Sequence, residues 1–273
     1  MKNTIYNLFM IIIIGLISGH VNAADFSYSD ISPHTGKEIS KPIGKYIYIN
    51  GNIEAGDTIK FQEFIKKDPW EYIFAKGISI SSKGGSVADA VKIGDIIKNT
   101  YKHIVISRHT GPCLSSCFFV IASATERDID TGAVGIHRPY YPKEKLENKT
   151  LKEVQEINDA LYTETKKYLE LLNVPRNLSE LMLSRTSNEI YWLTKSDKIN
   201  LGRRPLWYEE FLVTICGFDK ELERKFDNPL IHSESVDDEY FSMLEKVDNC
   251  SINKVENEKI AYMEQLLKIK ILK

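Results

Sequence analysis

The chain has 273 residues, 42% of them hydrophobic and 27% charged, with 36 Lys and Arg against 38 Asp and Glu for a formal net charge of -2. This is ordinary globular composition, long enough to bury a sizeable core, and it excludes a disordered, collagen-like or multi-span membrane protein. Charge so close to balance offers no electrostatic footprint for a polyanion, so no nucleic-acid partner is expected.

Lys2 precedes an apolar run from Leu8 to Ile17, which gives way to Ser18 and Gly19 and then to Val21, Asn22 and Ala23, small residues where a signal peptidase reads. Residues 1–23 therefore read as a secretory signal peptide cleaved near Ala23 or Ala24. An apolar run of about ten residues is too short for a hydrocarbon core of about 30 Å. No cysteine follows it to carry a lipid, so no stable membrane anchor is expected after cleavage, and the mature chain is expected to be periplasmic or secreted. Export makes the four cysteines disulfide candidates. Cys216 with Cys250 and Cys113 with Cys117 is the simplest of three connectivities. The second pair is the harder one, because a regular helix does not readily bring Cα atoms at i and i+4 into bridging geometry. A zinc site at Cys113 and Cys117 lacks the further ligands such sites need, and no metal is expected.

Residues 45–205 read as alternating strand and helix. Lys45 to Gly51, Gly77 to Ser81 and His103 to Ser107 carry alternating or β-branched apolar residues typical of strands. After Gly84-Gly85, the positions Val87, Ala90, Val91, Ile93, Gly94 and Ile97 form one helical face, with Ser86 suited to cap it. Strand, Gly-Gly turn, helix, strand implies a parallel crossover unit. A second unit follows: Ser115 to Ala124 reads as a buried helix, and Ala133 to His137 as a strand closed by Pro139. Thr150 and Glu153 form a capping box for a long helix through Leu172, Asn177 with Glu180 starts a shorter one, and Ile190 to Leu193 reads as a strand. Beyond Pro205 there is no Gly-Gly turn, and the composition reads as a helical appendage.

Serine-based acyl transfer needs a hydroxyl nucleophile, a base, a group that orients the base, and donors for the oxyanion. Ser115 or Ser116 stands at a helix start, His137 at a strand end, and in open α/β folds those ends face one crevice. Gly85 offers a further backbone N–H that can approach a reacting carbonyl closely. His103 and His109 are weaker alternatives to His137 as base. No GxSxG elbow, HExxH, GxGxxG or Walker loop is present, and no cofactor is expected.

The stretches ISISSKGGSVADAVKIGDII from Ile78, GPCLSSCFFVIASA from Gly111 and GIHRP from Gly135 resemble the Clp protease proteolytic-subunit family, and the CxSxC form behind a leader is similar to its extracytoplasmic branch. The resemblance covers about residues 45–205. It implies an α/β fold of ClpP/crotonase type built from repeated ββα units, with Ser115 as nucleophile, His137 as general base, and the N–H groups of Gly85 and Ser116 as the oxyanion hole. For the third member, a gapless count back from Gly202 falls on Ile190; Glu189 fits with a shift of one residue, and Asn188 is the other option. The family's proline before Gly-Gly is Lys83 here.

The expectation from sequence is thus a signal peptide (1–23), a ClpP-like catalytic-type domain (24–205) and a C-terminal helical extension (206–273). The expected activity is that of a secreted serine peptidase acting through Ser115, His137 and Glu189, with a peptide or protein substrate and homo-oligomerisation as its partners. The other reading is a noncatalytic binding or assembly protein that keeps the fold.

Overall fold

A computed structural model of the chain describes residues 23–30, 44–231 and 233–271. The leader expected over residues 1–23 lies, apart from Ala23, outside the described residues. No helix among the described residues is long and apolar enough to cross a membrane.

The molecule is a mixed α/β structure with a helical C-terminal segment. β1 (Asp25–Asp30) pairs antiparallel with β2 (Lys45–Asn50). After β2 come the helices α1 (Asp57–Lys67) and α2 (Pro69–Phe74), then β3 (Gly77–Ser81), α3 (Val87–Asn99) and β4 (His103–Ile106). A short strand β5 (Cys113–Leu114) leads into α4 (Cys117–Ala122), followed by β6 (Glu126–Ile129) and β7 (Val134–Ile136). Strands β2, β3, β4 and β6 run parallel, so the main sheet has the order β1-β2-β3-β4-β6. The sequence explains the inward face: Ile47, Ile49, Ile78, Ile80, Ile104 and Ile106 alternate along their strands and are all buried. Helix α3 forms where its periodicity places it. Ser86 caps it by accepting the Asp89 N–H at 3.2 Å, and its face of Ala90, Ile93 and Ile97 joins the core.

A second sheet has the order β5-β7-β8, β8 being Tyr191–Trp192. It abuts the first through a bridge between Ser82 and Cys113, with Leu114 N–H donating to Ser82 O at 2.9 Å. Between β7 and β8 lie α5 (Leu151–Leu171), which opens on the full capping box of Thr150 and Glu153, and α6 (Arg176–Ser184). Then follow α7 (Lys195–Leu201), α8 (Leu206–Cys216), α9 (Lys220–Asp227) and α10 (Glu234–Leu267). Residues 206–271 build a small core of their own from Tyr208, Leu212, Phe218 and Val247, yet Ile260, Met263 and Leu267 of α10 join the main core. A charged joint ties this segment to the main sheet: Arg204 binds Glu126 of β6 at 2.9 Å and Glu223 of α9 at 2.7 Å, while Arg203 Nε lies 2.8 Å from Glu126.

Candidate active site

The site is assembled where the parallel strands end. Beyond β3 the chain turns through Ser82, Lys83, Gly84 and Gly85 before Ser86 caps α3. The loop after β2 holds this turn in place. Ile53 N–H donates to Gly84 O at 2.9 Å, and Ser86 N–H donates to Ile53 O at 2.6 Å. Those two bonds flank Gly85 and leave its own N–H with no acceptor among the described residues. Both glycines have positive φ, 88° at Gly84 and 136° at Gly85. A Cβ at Gly85 would collide with the Ile53 carbonyl, and one at Gly84 would lie 2.7 Å from the Ser115 Cβ and 2.9 Å from the Ser116 nitrogen. The glycines are therefore required on two counts, backbone angle and close approach.

Ser115 occupies the tight turn between β5 and α4 with φ of 56°, one of few non-glycine residues with positive φ in the described chain. Such a conformation costs on the order of 1–3 kcal/mol and persists only where the surroundings impose it. Three constraints impose it here. Its N–H donates to Gly135 O of β7 at 2.9 Å. Gly84 packs against it from the other side. Cys113 and Cys117 form a disulfide across the turn, with Cα atoms 5.4 Å apart.

That bridge corrects the sequence expectation about its difficulty. Helix α4 begins at Cys117 rather than Ser115, so Cys113 lies on a strand and the objection from helical i, i+4 geometry does not apply. With both sulfurs joined, the thiolates a zinc site would use are also removed. The second pair, Cys216 with Cys250, is bridged as well, with Cα atoms 5.6 Å apart.

The structure separates the two serines. Ser115 is half-exposed, whereas Ser116 is 2% exposed and its hydroxyl is buried without a partner. Ser115 is therefore the more accessible of the two. Ser116 is placed to contribute its backbone N–H, which has no acceptor among the described residues and adjoins Gly84.

His137 follows β7 directly. Parallel pairing of Cys113 with Val134 and Leu114 with Gly135 carries Ser115 and His137 out of the same end of the small sheet. The imidazole is buried, and its hydrogen bond is between Nδ1 and Arg138 O at 2.9 Å. A carbonyl oxygen only accepts, so Nδ1 carries the proton, and in the neutral ring Nε2 keeps its lone pair. That is the tautomer a base for a serine hydroxyl requires. No hydrogen bond joins the Ser115 hydroxyl to the ring among the described residues.

Glu189 makes no hydrogen bond to His137 among the described residues. It is exposed, and its carboxylate accepts from Thr186 N at 3.1 Å and Thr186 Oγ1 at 3.0 Å. Those two bonds, with the charges of Arg185 and Arg138 nearby, hold its pKa below the usual carboxylate value. The reason is local: Thr186 and Glu189 are three apart in a turn, where the side chain closes on its own backbone. The ring's Nδ1 partner is thus its own neighbour's carbonyl, for which the sequence carries no signal. Of the alternative histidines, His103 is the first residue of β4, at the opposite end from the strand carboxyl ends, and burial pushes its pKa down. His109 is exposed in the loop after β4.

Among the described residues no group of His, Cys, Asp or Glu is placed to hold a metal ion. A groove of about 420 Å³ runs over Ser27, Tyr48, Asn50, Ser79 and Ser81, and includes neither Ser115 nor His137.

No family model matches the sequence, and no curated protein matches it. Two solved structures are similar in part: the 1510-N membrane-bound stomatin-specific protease as a serine-to-alanine mutant, and the same protease as a lysine-to-alanine mutant in complex with a substrate peptide. The first is 13% identical with a TM-score of 0.38, covering 63% of this chain and 84% of that one. The second is 12% identical with a TM-score of 0.38, covering 63% and 80%. Likeness at that level assigns neither family nor residue roles.

Proposed function

We propose that the protein is an exported serine hydrolase of ClpP-like type, acting on a peptide or protein substrate. The observation that carries this reading is the Ser115 turn: a half-exposed serine held at positive φ by a sheet bond, a glycine contact and a disulfide, beside two backbone N–H groups without acceptors. Strain of this kind at a reachable hydroxyl is the mark of a positioned nucleophile. In the proposed reaction the scissile carbonyl rests against the N–H groups of Gly85 and Ser116. Ser115 Oγ attacks the carbonyl carbon as His137 Nε2 takes the hydroxyl proton, and the imidazolium gives that proton to the leaving amine. Water, deprotonated by the same ring, then releases the acid from the acyl-enzyme.

The Arg138 carbonyl orients the ring in place of a carboxylate. It fixes the tautomer but brings no full negative charge to stabilise the imidazolium, so catalysis is expected to be slower than with an acid in that position. Glu189 enters this reading as the support of the turn at residues 186–189. Export is favoured by the leader pattern and by two disulfides, which persist in oxidising compartments. The ClpP/crotonase-like repetition of ββα units belongs to the same proposal, and β4-β5-α4 and β6-β7-α5 are the stretches that support it.

A second reading, a noncatalytic binding protein on the same fold, is favoured by the absence of a carboxylate partner for His137 among the described residues. Fluorophosphonate treatment followed by intact mass decides between them. A single adduct that disappears in Ser115→Ala is expected. An unmodified parent protein under conditions that label a control serine hydrolase would favour the binding protein.

A further inference from the structure

Ala24 is buried at 5% exposure, and its backbone N–H donates to Asp57 Oδ2 at 3.1 Å. Asp57 is itself 0% exposed. The same oxygen accepts the Glu54 N–H at 2.7 Å, and Oδ1 lies 2.7 Å from Nζ of Lys60, a side chain that is half in solvent. Keeping a carboxylate entirely out of water is costly unless charge and hydrogen bonds compensate it. Among the described residues, two neutral amides do so at Oδ2. One of them belongs to the residue that directly follows Ala23, where the small-residue pattern of the leader ends.

We propose that hydrolysis of the Ala23–Ala24 peptide bond makes Ala24 the mature N-terminus, and that its new α-ammonium forms a buried ion pair with Asp57. Water adds across the bond. Ala23 leaves as the C-terminal carboxylate of the leader, and the Ala24 nitrogen, protonated at neutral pH, becomes the cation. The hydrolysis is that of a signal peptidase acting on the exported chain. Because Ala24 is enclosed in the folded protein, cleavage precedes folding, and the charged terminus is then drawn onto Asp57 as the sheet closes. An ammonium offers three donors where the amide offered one, and it brings to Oδ2 the positive charge that position lacks.

The pair also reaches the candidate site. Asp57 Oδ2 holds Glu54 through its amide, and the adjacent Ile53 is the residue that grips Gly84 and Ser86. Processing would thus fix the loop against which the Gly84-Gly85 turn rests. The inference depends on the export reading and is independent of whether Ser115 is a nucleophile.

The titratable groups around the terminus are Asp57 and Lys60 of α1, Glu54 of the loop, Asp89 of α3, which binds the Gly56 and Thr58 amides, and Asp25 next in the chain. An α-amine titrates ordinarily at about 7.7–8.0, and pairing with Asp57 raises this value. Its stabilising contribution is therefore present below that range and lost as pH rises through the folded-state pKa.

The test is to express the full chain with its leader, recover the exported protein, determine its N-terminal peptide by mass spectrometry, and follow reductive dimethylation of the α-amine in native and unfolded protein. The expected results are a first residue of Ala24 and an α-amine labelled at least about fourfold more slowly at pH 8 in the native state, corresponding to a rise of about one pKa unit or more. Asp57→Asn should bring the native rate back toward the unfolded one. If that variant does not fold, comparison of native and unfolded parent protein still decides whether the amine is protected. An exported chain beginning at Asp25 or elsewhere, equal labelling in both states, or protection unchanged in folded Asp57→Asn would each overturn the proposal while leaving export intact. A retained leader would overturn the export reading with it.

Discussion

The turn at residues 113–117 and the helical segment at residues 206–271 are each closed by a disulfide, and the two bridges enclose different things. Cys216 and Cys250 are 34 residues apart and tie the end of α8 to the middle of α10. Cys113 and Cys117 are 4 apart, fully buried, and enclose Ser115. Chain-entropy arguments give the longer span about 4 kcal/mol and the shorter about 2 kcal/mol. The long bridge therefore serves the stability of a segment whose own core is small. The short one offsets much of the strain at Ser115, on the order of 1–3 kcal/mol, so its main effect is on local geometry.

The two bridges are expected to separate experimentally. Replacing both Cys216 and Cys250 with Ala should lower the unfolding free energy by about 4 kcal/mol in denaturant titrations while leaving fluorophosphonate labelling of the folded protein unchanged. A labelling rate that fell in step with stability would break the distinction.

The charged joint is the next largest effect. Glu126→Gln should cost roughly 2–3 kcal/mol, since Arg204 is left in the interior with Glu223 alone. Burial raises the Glu126 pKa, but the charges of Arg204 and Arg203 outweigh it and hold the group below the usual carboxylate value. Its contribution is accordingly complete above the ordinary glutamate value of about 4.3 and is lost as pH falls through the depressed folded-state pKa. Thermal melts from pH 6 to pH 3 should show a shallower acid decline in Glu126→Gln than in the parent protein.

Removing the short bridge with Cys113→Ala and Cys117→Ala should cost about 2 kcal/mol and, unlike the long one, slow labelling of the protein that remains folded. The smallest effect expected is a gain. Ser115→Gly relieves the positive φ and should stabilise the fold by about 1 kcal/mol, offset in part by the added freedom of the unfolded chain, while ending labelling altogether. Loss of stability in that variant would mean that the turn is not strained.

Much of the main sheet was legible in the sequence because propensity, period and capping agreed: β2, β3, α3 under Ser86 and α5 under its Thr150-Glu153 box form where expected. Strand β1 carries no such signal, because DFSYSD is polar and mostly exposed and becomes a strand through pairing with β2. Strand β6 carries Glu126 and Arg127, whose charges are explained mainly by partners distant in sequence: Glu126 meets Arg203 and Arg204, and Arg127 binds the carbonyls of Leu172 and Leu201 besides that of nearby Ala122. In the candidate site, the glycines and the Ser115–His137 order were visible as motifs. The positive φ of Ser115 was not, because an apolar run suggested that the helix began there. Nor was the partner of His137, since a backbone carbonyl leaves no trace in residue identity.

The central claim is that Ser115 and His137 act as one site although the ring is oriented by a carbonyl. Its most direct test is the rate of fluorophosphonate adduct formation, with the adduct located by peptide mapping, in the parent protein, Ser115→Ala and His137→Ala. The account predicts an adduct on Ser115 and not Ser116, none in Ser115→Ala, and a rate lower by about 10²–10⁴ in folded His137→Ala, the usual worth of a positioned general base. Equal rates in His137→Ala and the parent protein, or an adduct on another serine, would contradict it.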